Sequence, residues 1–247
     1  MIDIHTHILP AIDDGADSVE DALEMLQLFV ADGVTHVVAT PHVYPRRFDN
    51  DSSVISTAFY SFQALAEPLE LPLSISFAGE VRLTEHLPDL IARDAIPFLG
   101  VSEGYRTMLL ELPDVRIPVG TDHLLRWLNE RRIRPVIAHP ERNRQISENP
   151  VIVKSMIDLG CRIQLTAGSL LGTFGPRIVQ AARFLLDRDW VDAIASDTHN
   201  RRARRPCMSL ASDWLSKNYN ADLAERLTMS GPALLCGFAR TDTESGA

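Results

Sequence analysis

Short apolar runs recur along this 247-residue chain, and nearly every one ends in a histidine or a carboxylate. The first is Ile2-Asp3-Ile4-His5-Thr6-His7, stopped by Pro10. Ile2 and Ile4 are β-branched and two apart, the spacing of one strand face. His5 and His7 share that period, so both imidazoles leave an extended chain on the same side. The later runs are Val34 to Thr40 before Pro41-His42, Leu73 to Ala78 before Gly79-Glu80, and Thr107 to Leu110 before Glu111. Pro135 to Ala138 precedes His139, Arg162 to Thr166 precedes Ala167-Gly168, and Asp192 to Ala195 precedes Ser196-Asp197-Thr198-His199. Helical patterns separate them. One begins at Ser18, paired with Asp21 as a capping arrangement, and stops at Gly33. Others run over Ser52 to Glu67, Val119 to Arg131, Pro150 to Leu159, Arg177 to Leu186 and about 206 to 237, with a short helix or loop over 84–93.

Seven strands that alternate with helices predict an α/β fold with parallel strands inside and helices outside, closing as a distorted (β/α)7 barrel. The strand C-termini of such a barrel meet on one face, where active sites sit. His5, His7, His42, Glu80, Glu111, His139, Asp197 and His199 would converge there. Carboxylates packed that closely resist ionisation unless cations neutralise them, so the set implies several metal ions. Its donors are nitrogen and oxygen with no thiolate, which fits manganese, iron or zinc. Bridging carboxylates, with Glu80 and Glu111 the best placed, would hold two metals ~3.5–4 Å apart, a spacing suited to phosphate-ester hydrolysis. The remaining histidines serve as a control. His36 lies inside a strand, and His86 and His123 lie in helices or loops, so all three read as structural.

Composition narrows the rest. A net charge of −9 argues against a nucleic-acid partner. The three cysteines, Cys161, Cys207 and Cys236, are far apart and odd in number, which predicts reduced thiols and a cytoplasmic location. No run approaches the ~18 apolar residues of a membrane span. The first strand starts at residue 2, so no signal peptide is expected. Residues 1–240 read as a single barrel domain and 241–247 as a frayed tail, without linker, repeat or low-complexity segment.

Arg142, in His139-Pro140-Glu141-Arg142, and Arg204, in Arg201-Arg202-Ala203-Arg204-Arg205, leave the same barrel face on loops. Guanidinium groups bind phosphate in bidentate geometry and stabilise charge on phosphoryl oxygens. The loop Val43 to Asn50 carries Tyr44, Arg46, Arg47 and Phe48 beside His42, an arrangement able to cradle a phosphopeptide.

These segments resemble a known family. His5-Thr6-His7-Ile8-Leu9-Pro10 with Ile12-Asp13-Asp14-Gly15, Thr40-Pro41-His42, Gly79-Glu80 and Glu111-Leu112-Pro113 are similar to motifs of the PHP (polymerase and histidinol phosphatase) superfamily. So are Ala138-His139-Pro140-Glu141-Arg142, Ala167-Gly168-Ser169-Leu170 and Ser196-Asp197-Thr198-His199-Asn200. Within the superfamily they most resemble the manganese-dependent bacterial protein-tyrosine phosphatases of capsule and exopolysaccharide loci, over residues 1 to about 237. The resemblance implies a PHP-type barrel and two or three Mn2+ ions, with Fe or Zn as substitutes. It also implies hydrolysis of phosphotyrosine on the tail of a bacterial tyrosine kinase. Asp14 joins Arg142 and Arg204 in the catalytic set, orienting a ligand from behind. The chain departs from the pattern at Thr166, where asparagine is expected, at Asn143, in place of an aromatic, and in the extra arginines of 201–205.

Rival readings separate on residues. A cysteine-dependent phosphatase needs an arginine six residues after its cysteine, and Ala167, Asp213 and Asp242 stand there instead. A two-metal amidohydrolase commonly uses a carboxylated lysine at a strand end, whereas Lys154 and Lys217 both fall in helical patterns. A phosphatase for a small ester, such as a sugar or histidinol phosphate, would use the same metals and arginines and is the alternative enzyme. A metal-dependent scaffold without turnover would separate from both in an assay with p-nitrophenyl phosphate. A homo-oligomer is left open.

Overall fold

The computed structural model describes residues 1–238, so the expected tail at 241–247 lies outside the described residues. Ten strands appear: β1 (Ile2–Thr6), β2 (His36–Ala39), β3 (His42–Val43), β4 (Ser74–Phe77), β5 (Glu80–Arg82), β6 (Gly100–Ser102), β7 (Tyr105–Glu111), β8 (Ile133–Ala138), β9 (Arg162–Thr166) and β10 (Ala193–Ala195). Parallel pairing joins β1, β2 and β4 in one sheet and β10, β9, β8, β7, β5 and β3 in another. β6 adds antiparallel to β7 as a hairpin.

The seven expected strands are all present, but two are broken. The second splits at Thr40-Pro41 into β2 and β3, and the third splits at Ala78-Gly79 into β4 and β5. Glu80 therefore opens a new strand rather than ending an old one. Proline lacks the N–H that an unbroken ladder needs at Pro41. At Gly79 a Cβ would meet Val43 Cγ2 at 2.7 Å, so only glycine lets the two broken strands pass so closely. Backbone bonds bridge both breaks, Ala78 N–H to Ala39 O at 2.8 Å and Glu80 N–H to Pro41 O at 3.1 Å. The edges of the two sheets meet where Asp197 N–H donates to His5 O (2.9 Å) and His7 N–H to Thr198 O (2.8 Å). Those bonds complete the distorted seven-stranded ring.

The helices lie outside. Val19–Ala31 begins where Ser18 Oγ accepts the Asp21 N–H at 3.2 Å, and it buries Ala22, Met25, Leu26 and Phe29 against the barrel. Ser52–Ala66 is capped by Asp51 and buries Ile55, Phe59 and Phe62. The stretch expected to be helical over about 206–237 is four pieces: Met208–Asn218, Ala221–Glu225, a π-turn over Arg226–Ser230, and Gly231–Cys236. Asn220 caps a fresh start through the Leu223 N–H, and Pro232 opens the last segment with no donor to give. That last segment seals the barrel floor, where Leu235 and Cys236 pack with Ile4, Val38, Leu109 and Val136. The interior is thus apolar below and polar at the C-terminal mouth.

Candidate metal centre

The strand ends bring all eight expected ligand-type side chains, and Asp14, into one ring. Ligand atoms fall into four overlapping groups, each within 4.8 Å: His7, Asp14, His42 and His199; His5, His7 and Glu80; His5, His139 and Asp197; His42, Glu80 and Glu111. Glu80 sits at the centre. Its Oε1 is 2.9 Å from His139 Nε2 and 3.3 Å from His5 Nε2, and its Oε2 is 2.9 Å from His42 Nδ1 and 3.4 Å from His7 Nε2. Parallel register sets His42 directly opposite Glu80. Two positive-φ turns aim ligands inward, His139 at φ 31° and Asp197 at φ 55°. Non-glycine residues hold such angles only where their surroundings enforce them.

Four buried atoms of this ring have no hydrogen-bond partner: His42 Nδ1, Glu80 Oε2, Glu111 Oε2 and Asp197 Oδ1. His42 Nδ1 and Glu80 Oε2 stand close without hydrogen-bond geometry. Such orphans are costly in a folded interior, and cations between them would satisfy all four, so the donor set fits a multinuclear metal site. Electrostatics agrees. Burial would raise Glu80 and Asp197, but the His5 ring beside both, with His42 or the two arginines, holds each carboxyl well below the usual range. Burial and the neighbouring Glu80 charge push Glu111 up to about 7. Burial opposes a proton on His42, yet Glu80 and Asp14 carry it up to about 10. His139 and His199 are pushed down to about 4, by burial with the Arg142 charge and by burial with His7 respectively. Burial thus favours the neutral form of those two imidazoles, the form that binds metal.

The sequence reading gave no role to Asp13, Gln164 or Glu141, which support the ring. His7 Nδ1 is 2.7 Å from Asp13 Oδ2, which also accepts the His42 N–H at 3.0 Å, while Asp13 Oδ1 accepts the Gly15 N–H at 2.9 Å. Asp13, not Asp14, thus stands behind the His7 ring. Asp14 stands at the half-open mouth, its Oδ1 3.3 Å from His42 Nε2 and 3.4 Å from His199 Nε2. Gln164, on β9, holds His5 Nδ1 at 2.9 Å. Glu141 is fully buried and accepts the Thr166 N–H (2.9 Å) and Ser169 O–H (2.7 Å), tying the His139 turn to the end of β9. Thr166 meets this clamp through its backbone, and Asn143 caps the next helix through the Ile146 N–H at 2.9 Å. Gln164 had a signal, since it is a polar residue between Ile163 and Leu165 in an apolar strand.

Arg142 and Arg204 both donate to Asp197 Oδ2. Arg82, two residues after Glu80 and opposite Glu111 in register, forms an ion pair with Glu111 Oε1 at 2.6 Å and donates to Asp114 at 3.0 Å. These arginines line a cleft of about 180 Å3 with Asp14, His42, Glu80, Glu111, His139, Asp197, His199, Tyr44, Arg47 and Phe48. A larger cavity of about 620 Å3 lies between the helix Ser52–Ala66 and β4, away from every ligand-type histidine. His36 donates to or accepts from Ser76 Oγ at 2.8 Å, outside the ring, and the His123 ring points to solvent. Arg46 turns away to pair with Glu85 at 2.9 Å, and Arg201 pairs with Asp21 and Glu24. None of the three cysteines lines the cleft, and burial pushes each thiol up to about 12.

Fold and site together define a parallel α/β barrel whose mouth gathers histidine and carboxylate clusters that could hold metal ions, with Arg142 and Arg204 beside them. The chain belongs to the capsular polysaccharide synthesis CpsB/CapC family, whose model matches residues 1–236. It is 32% identical over 235 residues to the tyrosine-protein phosphatase YwqE of Bacillus subtilis, covering 95% of this chain and 91% of that protein. It is 31% identical over 241 residues to the tyrosine-protein phosphatase CpsB of Streptococcus pneumoniae, covering 94% and 96%. A solved structure from a study of YwqE and CpsB, described as unique metal-dependent tyrosine phosphatases, superposes with a TM-score of 0.87 at 32% identity, covering 95% and 94%. The Escherichia coli phosphotriesterase homology protein shares the fold alone, with a TM-score of 0.61 at 12% identity over 94% and 97%. No helix among the described residues is long and apolar enough to cross a membrane.

Proposed function

We propose that this chain is a metal-dependent protein-tyrosine phosphatase. One observation carries the reading: Arg142 and Arg204 converge on a single oxygen of Asp197, directly over a ring of nine histidine and carboxylate side chains. Arginines held over a metal ring suit a phosphate whose oxygens face both. His5, His7, His42, His139, His199, Glu80, Glu111, Asp197 and Asp14 would hold two or three divalent cations, with manganese preferred and iron or zinc as substitutes. Bound there, such cations would lower the pKa of a water and neutralise the phosphoryl oxygens. Arg142 and Arg204 would grip those oxygens as charge builds in the transition state. Phe174, 4.8 Å from the Arg142 guanidinium, backs that side chain. Tyr44 and Phe48 line the cleft where the aryl group of the ester would sit.

The thiols Cys161, Cys207 and Cys236 would play no chemical part, so water attacks phosphorus without a covalent enzyme intermediate. A cleft of about 180 Å3 suits a single tyrosine side chain presented by an extended segment. The tail of a bacterial tyrosine kinase that controls capsule or exopolysaccharide synthesis meets that requirement. Free thiols fit the reducing cytoplasm, where such a tail lies.

A panel of phosphotyrosine peptides against sugar and histidinol phosphates, with and without Mn2+, tests the reading. Preference for the peptides by at least about tenfold in kcat/KM, only with metal, is expected; a preference for small esters would install the alternative substrate class.

A further inference from the structure

Five groups stack along one wall of the cleft. Phe48 lies parallel to the His42 ring, 5.3 Å away at 9°. The Arg47 guanidinium stands over Phe48 at 5.3 Å and over Tyr44 at 5.9 Å, and Arg82 covers Tyr44 at 5.4 Å. The loop that builds this wall is tightly bonded. Tyr44 and Phe48 exchange backbone bonds of 3.0 and 2.8 Å, and Arg46 N–H donates to Asp49 at 2.6 Å. Arg46 is left-handed at φ 71°, which reverses the chain between two adjacent arginines. One goes out to Glu85 and the other folds over the rings.

Charge distinguishes Arg47 from its neighbours. Arg82 is paired with Glu111 and Asp114, and Arg142 and Arg204 with Asp197. Among the described residues Arg47 is the one arginine lining the cleft with no carboxylate partner. It is exposed at the rim, a few ångströms from the rings that face the cleft. A fixed, unpaired cation beside an aryl slot is complementary to an anion carried next to the aryl group.

Resting on the phosphotyrosine reading above, we propose that Arg47 selects phosphotyrosine segments bearing an acidic residue adjacent to the phosphotyrosine. Tyr44 and Phe48 hold the Arg47 guanidinium in place, and Arg46 takes no part. A preorganised rim charge acts mainly on encounter and weakens with salt.

Two phosphopeptides that differ only in glutamate or glutamine beside the phosphotyrosine test this on the full chain loaded with Mn2+. The expected preference for the glutamate peptide is about fivefold in kcat/KM at low salt, the range of one exposed charge pair. It should shrink in ~0.5 M NaCl as the Debye length drops. Arg47→Ala should bring the ratio to about one, and Arg47→Glu should invert it, whereas Arg46→Ala should leave it unchanged. Equal rates on the two peptides by the unaltered protein, or the same loss of preference in Arg46→Ala as in Arg47→Ala, would overturn the inference and leave the phosphatase reading intact. Failure to cleave either peptide while small phosphate esters turn over would overturn both.

Discussion

The barrel has a regular half and a broken half, and they contribute differently to the site. In the regular half β7 and β8 pair over six consecutive positions, from Arg106 opposite Ile133 to Glu111 opposite Ala138. In the broken half β3 is two residues long, β5 is three, and the register between β1 and β2 shifts between Asp3 and Thr6. Yet the broken half supplies His5, His7, His42 and Glu80, four of the most crowded side chains of the ring. A regular parallel ladder fixes every inward side chain at one depth per register step. Breaking the second and third strands frees His42 and Glu80 to meet at the centre. The regular half contributes stability, and the irregular half contributes geometry.

That division can be broken by experiment. The largest effect belongs to Glu80→Gln, which should lower kcat/KM by about a thousandfold or more, since a cation's contribution runs to several kcal/mol. Metal content should fall with it while the thermal midpoint of the metal-free protein barely moves; a folded variant with full metal and full activity would contradict the central place of Glu80. Leu109→Ala, in the fully buried floor of the regular half, should do the reverse. It should cost about 2–5 kcal/mol in denaturant unfolding and leave kcat nearly unchanged under conditions where the variant remains folded. Arg142→Ala and Arg204→Ala should each lower kcat by about 10²–10³ on aryl phosphates of every size. A loss confined to large substrates would move these arginines from phosphate binding to peptide binding.

Asp13→Asn sharpens the comparison one layer out. Its fold should survive, with metal affinity down by about 10–100-fold in a calorimetric titration, the usual cost of losing an outer partner. Unchanged affinity would mean that the His7 ring is oriented by packing alone. The smallest effect concerns His36. Burial lowers its pKa below the ordinary 6.5, so the fold favours the neutral ring. The stability it contributes is present above 6.5 and is lost as pH falls through the lowered value. His36→Gln should flatten the acid side of the stability profile slightly, and an unaltered profile would remove His36 from that account.

The strand-end pattern was enough to locate the eight ligand-type side chains, because a parallel barrel turns linear position into a shared face. It did not show that Glu80 begins β5, since an apolar run followed by glycine reads the same whether the strand stops or steps sideways. Asp13 and Asp14 could not be told apart, because in the turn Ile12–Gly15 no period assigns direction. Only the close approach to His7, where a Cβ on Gly15 would lie 2.0 Å from His7 O, decides which carboxylate faces inward. Arg46 and Arg47 were indistinguishable for a related reason, since the positive φ at Arg46 resets the alternation that adjacent residues follow in a strand. The helical pattern over about 206–237 does not show the break at Tyr219-Asn220, where Asn220 starts a new helix.

The seam between His5 and Asp197 has a consequence for how the chain is made. It joins residues 192 positions apart, and the same stretch that closes the ring supplies His5, His7, Asp197 and His199. Contacts of such separation form late, because loop-closure entropy is met before they give anything back. During synthesis His5 and His7 emerge long before Asp197 and His199 and must wait for the last strand. Until then β1 presents an unpaired edge able to join another nascent chain. A chain cut before β10 would therefore be left with both an incomplete ring of ligand-type side chains and an open sheet, and its fate would be aggregation rather than a weakened enzyme.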